Sequence, residues 1–466
     1  MAELTYDEWM NDIDAVFWHL ERDPLLRSTI TTVWLLDSLP SRQRMDAVVQ
    51  RMVANLPRLR QRVVEDPLGL TNPRWESDPN FDLAHHYCWT RLPGSRPDVR
   101  SVLDLAQHDA GRAFDLARPL WELQVVEGLP QRRGAVLIKV HHTIGDGTGL
   151  LRMAEQLMDL EPDPPPRPAI AAPDPSTDTP PLPRRLPMAR SLARRLSTER
   201  DTANRAGRAA LHTASRMIRR PAGATRDITR MGASVVRLMR PSFTPLSEAM
   251  NARSLTHRFD LLDLPLADLR DVAHRHRCSL NDAFVAAVLG GLDLYQRELG
   301  SPCDKLRINM PIDVRADEAD TGAGNRIAPA RFVLPIGASS ASQRLTRTHD
   351  LLRSVREEPA LAHVEDLAGV ITRLGPTATA TIAAALLRGT DAILSNVVGP
   401  PCPVYLAGAH VDELYALGPH TGAALNITLV SYDGTLFLGI NTDRAAVSDP
   451  DRLVACLETS FDELIG

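Results

Sequence analysis

The chain has almost no lysine: Lys139 and Lys305 are the only two, and arginine supplies every other base. That usage points to a GC-rich bacterial genome rather than to a function. Cysteine is also sparse. Cys88, Cys278, Cys303, Cys402 and Cys456 are scattered without C-x-x-C spacing, which argues against a disulfide framework. The opening "MAELTYDEWMNDIDAVF" lacks a basic stretch followed by an apolar one, so no secretory signal is expected and the chain reads as a reduced, cytoplasmic protein. Aromatics make up only 5% and the formal net charge is −5, a balance that disfavours nucleic acid as a partner. The most apolar stretch, "PTATATIAAALL" at 376–387, lies between Arg373 and Arg388. It falls well short of the roughly 20 residues a spanning helix needs. There is no G-x-S-x-G elbow for a serine nucleophile and no G-x-x-x-x-G-K-[ST] phosphate loop.

What is present is ordinary globular material: 466 residues, 44% hydrophobic and 24% charged, enough for two or three domains, and two cores are expected. A β-branched run at 28–38 predicts a strand, and the spacing from Arg42 to about Asn55 predicts a helix that ends before Pro57. Two more strands are expected at 118–129 and 134–142, then a helix carrying Leu150, Leu151, Met153, Ala154, Leu157 and Met158. At Glu161 the composition changes to "EPDPPPRPAIAAPDPSTDTPPLP", too proline-rich to pack, so 1–160 reads as one domain and 161–245 as a linker. The linker's second part, Arg184 to Arg240, is strongly basic with interleaved apolar residues. It suits either solvated helices strapping the domains together or a surface for anionic lipid headgroups. From 246 to 466 a second α/β half is expected. Its strands fall at 254–261, 305–315, 330–336, 392–400 and 425–443, the last folded at the hairpin signal "YDGT". Ser279 and Asp282 are placed to cap a helix over "LNDAFVAAVLGGLDLYQREL".

The chemistry concentrates in "AVLIKVHHTIGDGTG", 135–149, between a strand and a helix. Adjacent strand residues point to opposite faces, so His141, His142 and Asp146 do not readily share a metal ion. One imidazole at a strand end suits a general base that deprotonates an attacking hydroxyl or amine at an acyl carbonyl. Asp146, next to Gly147, is expected to hold the turn rather than to relay charge. A second pair, His85-His86, lacks the aspartate and the glycines and reads as core or interface structure.

The His-His-x-x-x-Asp-Gly pattern resembles the signature of the acyltransferase superfamily that includes chloramphenicol acetyltransferase and peptide-synthetase condensation domains. Further segments narrow the resemblance to the bacterial wax ester synthase/acyl-CoA:diacylglycerol acyltransferase family. They are "IDAVFWHLE" (13–21), "FDLAHH" (81–86), "FDLARPLWELQVVEGL" (114–129), "SLNDAFVAAVLGGL" (279–292), "LSNVVGP" (394–400) and "LGPHTGAALNITLVSYDGTLFLGINTD" (417–443). The resemblance implies an α/β fold of two chloramphenicol-acetyltransferase-like domains, with the active site in a tunnel at their interface. It implies that acyl-CoA is a substrate, that no cofactor or metal is needed, and that the acceptor is diacylglycerol or a long-chain alcohol. His142 corresponds to the general base, His141 to its less critical neighbour, and Asp146 with Gly147 to the structural turn. Arg315 is the expected ion-pair partner of Asp146. Asn281 and Asp282 match a motif implicated in activity, with Asn281 a candidate oxyanion donor; Pro119, Leu120 and Trp121 match one linked to the substrate path. Val398, Ala424 and Gly145 depart from common family residues and bear on acceptor choice. The alternatives are a condensation-type enzyme, an acyltransferase for a specialised alcohol, or a non-catalytic lipid-body protein. Peripheral attachment to the inner membrane or to lipid droplets is expected of the basic segment.

Overall fold

The computed structural model describes residues 6–145, 147–165, 190–200, 202–204, 208, 221–313, 327–337 and 339–466. In the first half, α1 (Asp12–Leu20) is capped by the Asn11 side chain, which accepts from the Asp14 N–H. β1 (Thr29–Leu36) is the β-branched run, and α2 (Arg42–Asn55) follows under a Ser41 cap. A small hairpin of β2 (Gln61–Val64) and β3 (Arg74–Ser77) stands apart. The rest of this half is β4 (Tyr87–Arg91), α3 (Val99–Ala110), β5 (Trp121–Glu127), β6 (Gly134–His141), α4 (Gly147–Ala154) and β7 (Met158–Asp159). The proline-rich stretch at 166–189 lies outside the described residues. Beyond it, residues 190–200 and α5 (Pro221–Leu238) are helical.

The second half runs β8 (His257–Pro265), α6 (Leu266–Arg275), α7 (Leu280–Glu298), β9 (Lys305–Asp313), β10 (Ile327–Pro335), α8 (Ala341–Arg356), α9 (Val364–Thr372) and α10 (Pro376–Leu387). It ends with β11 (Ala392–Val398), β12 (Tyr405–Leu406), β13 (Ala409–Leu417), β14 (Leu425–Tyr432), β15 (Thr435–Asp443) and α11 (Pro450–Ile465). Asp433 and Gly434 form the turn between β14 and β15 with φ of 43° and 79°, the left-handed pair that a two-residue hairpin favours. The apolar stretch at 376–387 is α10, a helix of 12 residues, and no helix among the described residues is long and apolar enough to cross a membrane.

Two large cores form, one around each principal sheet. The first sheet has the order β4-β5-β6-β1-β13-β12-β7 and the second β10-β9-β11-β14-β15-β8. A boundary at 246 therefore does not divide the sheets. β13 crosses to the first half and pairs antiparallel with β1, Thr31 opposite Leu417 and Leu35 opposite Glu413. The pairing covers an edge of β1 that would otherwise expose open hydrogen-bonding groups. In return α1 reaches the second half, where Asp12 accepts from the Thr372 hydroxyl at 2.8 Å. A third, small cluster joins Leu20 and Leu26 to Ala383 and Ala384 of α10. The end of β6 and the start of β1 thus lie where both halves meet.

Candidate active site

β6 is almost wholly buried and ends at His141; a tight turn, His142–Ile144, then leads into α4, which Gly147 opens. His141 is 0% exposed. Its Nδ1 accepts from the Thr143 N–H at 3.2 Å and lies 2.9 Å from the Thr143 hydroxyl. On the other side of the ring its Nε2–H donates to Glu21 Oε2 at 3.1 Å. Glu21 also accepts from the Ser28 N–H at 3.3 Å and lies 3.6 Å from Arg27 Nε. His141 is therefore the cap of the turn that presents His142, held from behind by a buried carboxylate.

His142 is partly exposed. Its N–H donates to the Ser28 carbonyl at 2.8 Å, and its ring stacks on Phe17 with centroids 4.5 Å apart and planes 15° apart. Trp18 and Phe114 stand edge-on to His141 at 6.3 and 6.2 Å. Lys139, two residues earlier on β6, sits over the Phe114 ring and 3.5 Å from Glu122; burial lowers the pKa of its ammonium against that carboxylate's pull. Phe17 and Glu21 are four residues apart at the end of α1, so one helix face serves both histidines. Neither residue is singled out by the motif itself. The signal was the run "IDAVFWHLE", which supplies Phe17, Trp18 and Glu21 together.

The other expected site residues are placed differently. Asp146 and Arg315 lie outside the described residues, and so does the ion pair expected between them. Asp282 closes the capping box with Ser279 at the start of α7 and accepts from His349 Nδ1 and Arg356 Nη2, each at 2.9 Å. Burial pushes its carboxyl up, but the His349 and Ser279 hydrogen bonds and the Arg356 charge bring it below the usual carboxylate range. Asp282 is thus a structural hub. Asn281, beside it in the first turn, is partly buried. Pro119, Leu120 and Trp121 pack in the core. The Leu120 carbonyl accepts from the His141 N–H at 3.0 Å, and Trp121 Nε1 donates to Leu59. His86 stacks between Phe81 and Trp121, its Nδ1 donating to the Trp121 carbonyl at 2.8 Å, while His85 is exposed. Gly145 has φ 174°, an extended conformation open to any residue. Among the described residues, no three His, Cys, Asp or Glu side chains are arranged to hold a metal ion.

The arrangement is an imidazole at a strand end, aligned by aromatic stacking and by a capped turn, with a second imidazole buried behind it. Such a group can take a proton from an acceptor and return it to a leaving group.

Residues 10–284 match the model of the wax ester synthase/diacylglycerol acyltransferase catalytic domain, and 323–465 match that of its C-terminal domain. A Mycobacterium tuberculosis protein provisionally named diacylglycerol O-acyltransferase is 33% identical over 462 residues, covering 98% of this chain and 91% of its own. Among solved structures, the wax ester synthase/diacylglycerol acyltransferase from Marinobacter aquaeolei VT8 superposes with a TM-score of 0.61 at 22% identity, covering 98% of each chain. The first condensation domain of the calcium-dependent antibiotic synthetase also gives 0.61, at 14% identity, covering all of this chain and 96% of its own. The fold is the two-domain α/β architecture that these proteins share.

Proposed function

Because the chain belongs to the wax ester synthase/diacylglycerol acyltransferase family, we propose that it moves a long-chain acyl group from acyl-CoA to diacylglycerol or a long-chain alcohol, with His142 as general base. His142 takes the proton of the acceptor hydroxyl, and the oxygen attacks the thioester carbonyl. The tetrahedral intermediate expels the CoA thiolate, which receives the proton from the imidazolium. One ester and one CoA thiol form for each thioester consumed. The observation that carries this reading is the pairing of roles at 141 and 142: one ring is locked in the core as a cap, and the other is presented on the turn. In this scheme Asp146 and Arg315 pin the far side of that turn, and a tunnel between the domains admits the substrates. The test is thiol release from palmitoyl-CoA by the purified protein, with and without acceptor. His142→Ala is expected to lower acceptor-dependent release by about 10²- to 10⁴-fold with the fold intact; undiminished release would reject His142 as the base.

The basic segment supports attachment to a lipid surface. Leu192, Leu196, Ile228 and Val236 are exposed there among arginines, and Phe243, just beyond, is 71% exposed. This is the pattern of an interfacial helix. Flotation should give stronger binding to anionic than to neutral vesicles and loss of that difference at high salt. Equal binding to both, or none, would reject the electrostatic attachment.

A further inference from the structure

The second sheet carries a cleft on its outer face, at the β10 edge. Val333 of β10 lies opposite Arg307 of β9, and Arg331 is two residues before Val333, so all three side chains project from one face. The alternate residues, Phe332 and Leu334 with Leu306 and Ile308, turn the other way into the core. β10 is an edge strand, and the chain that leaves α5 crosses it. Arg331 Nη2 donates to the Leu238 carbonyl and Arg307 Nη1 to the Thr244 carbonyl, each at 2.9 Å. Between this strap and the sheet lies a cavity of about 490 Å³, within the roughly 300–1,000 Å³ typical of ligand sites.

The lining is cationic and apolar together. Arg237, Arg240, Arg307 and Arg331 face the cavity with a single carboxylate, Glu358, among the described residues. Glu358 is already engaged, accepting from Arg237 Nε and Nη2, both at 2.9 Å. Three guanidiniums are left. They lie close enough to feel one another: burial and then Arg307 lower the pKa of Arg331, and burial lowers that of Arg307, with Asp391 opposing and Arg240 adding to the effect. The Asp391 oxygens accept the backbone N–H groups of Leu246, Ser247 and Arg307. Like charges gathered in this way oppose the compact state, and a guanidinium has five N–H donors, more than its backbone carbonyls use. On the same lining Val333 is 49% and Phe243 71% exposed, so large apolar side chains stand beside the charges.

We propose that this cleft is a headgroup site for a phosphomonoester lipid. A phosphomonoester carries a charge of about −1.5 to −2 and three acceptor oxygens, which Arg240, Arg307 and Arg331 engage through the planar fork that suits phosphate. A phosphodiester lipid, singly charged and with fewer free oxygens, leaves part of the cluster unmet. Val333 and Phe243 then meet the acyl chains. The inference rests on the lipid-surface attachment proposed above and deepens it: the basic helices supply charge, and the folded second half selects one headgroup chemistry.

The test is flotation of the full-length protein with phosphatidylcholine vesicles that carry either dioleoylphosphatidate or dioleoylphosphatidylglycerol, adjusted to equal surface potential. The wild-type protein is expected to bind the phosphatidate vesicles about tenfold more tightly, the effect of one charge-assisted hydrogen bond. Arg240→Gln and Arg331→Gln should bring that ratio toward one. Arg226→Gln, which removes the same charge from an exposed position of α5 outside the cleft, should leave it unchanged. Arg331→Gln also gives up the bond to the Leu238 carbonyl, whereas Arg240 is exposed, so its substitution reads the site with the fold intact. A ratio of one in the wild-type protein, a ratio that Arg240→Gln leaves unchanged, or an equal fall in Arg226→Gln overturns the site and leaves the electrostatic attachment standing. Equal binding to neutral phosphatidylcholine vesicles, or none to any, overturns attachment and site together. Loss of the preference in millimolar inorganic phosphate or CoA, at constant ionic strength, gives the cleft to a soluble phosphomonoester and overturns the lipid assignment.

Discussion

At the level of single residues, the account separates two histidines that the sequence presents side by side. Alternation along a strand already requires one ring to face packing and the other the chamber, and the structure assigns packing to His141. What the sequence does not carry is the group behind it. Glu21 lies 120 positions earlier, and its approach to His141 depends on how α1 docks, which no local pattern specifies. The contact makes a prediction. Glu21→Leu leaves the His141 Nε2–H without its acceptor in a dry site and should lower stability by about 1–3 kcal/mol, whereas Glu21→Gln keeps an acceptor and should lose less. Urea denaturation measures both. Turnover should fall in the same order, because the cap of the His142 turn is loosened. Equal stability of the two variants would show that the Glu21–His141 contact does not matter. By contrast, the pair at 85–86 follows only in part from what it lacks: His86 is a packed ring between Phe81 and Trp121, whereas His85 is exposed.

At the level of elements, local rules worked where the pattern was local. The helix over Arg42–Asn55, the cap at Ser279 with Asp282, and the turn at Asp433-Gly434 follow from residue spacing alone. β13 does not. Its partner β1 is hundreds of residues away, and the pairing follows from how the two halves interlock rather than from its own alternation. Close helix packing is likewise invisible in sequence. A Cβ at Gly291 of α7 would stand 2.8 Å from the Leu457 Cα of α11, so backbone atoms fill the space. Gly291→Ala, which elsewhere would strengthen a helix by roughly 1 kcal/mol, should here destabilise the protein by about 1–3 kcal/mol; a raised midpoint of thermal unfolding would contradict that packing. The start of α7 adds a pH dependence. The folded-state pKa of Asp282 is below its unfolded value, so the carboxylate contributes stability above the ordinary carboxylate range and loses it as pH falls through the lower, folded pKa. Asp282→Asn should destabilise the protein at neutral pH and flatten its acid limb in denaturation experiments.

At the level of the whole molecule, the sequence conveyed two α/β halves and a proline-rich break, but not the exchange of β13 and α1 between them. That exchange brings the ends of β1 and β6 against the second half. Folding also buries imidazoles. His19, His86, His257 and His420 are each lowered, burial being the largest cause, with His19 held at about 4. The unfolded chain binds protons at these positions near pH 6.5 while the folded chain resists them. Stability is therefore full above about pH 6.5 and declines as pH falls from there toward the folded pKa values. Unfolding free energies that stayed flat between about pH 7 and pH 5 would contradict this. The central claim, direct and His142-dependent transfer from thioester to lipid hydroxyl, is tested most directly by following radiolabelled palmitoyl-CoA with dioleoylglycerol and separating the products. The account predicts label in triacylglycerol in amounts equal to the CoA released, and a loss of at least about 10²-fold in His142→Ala. Label recovered only as free fatty acid, or triacylglycerol formed undiminished by the mutant, would contradict it.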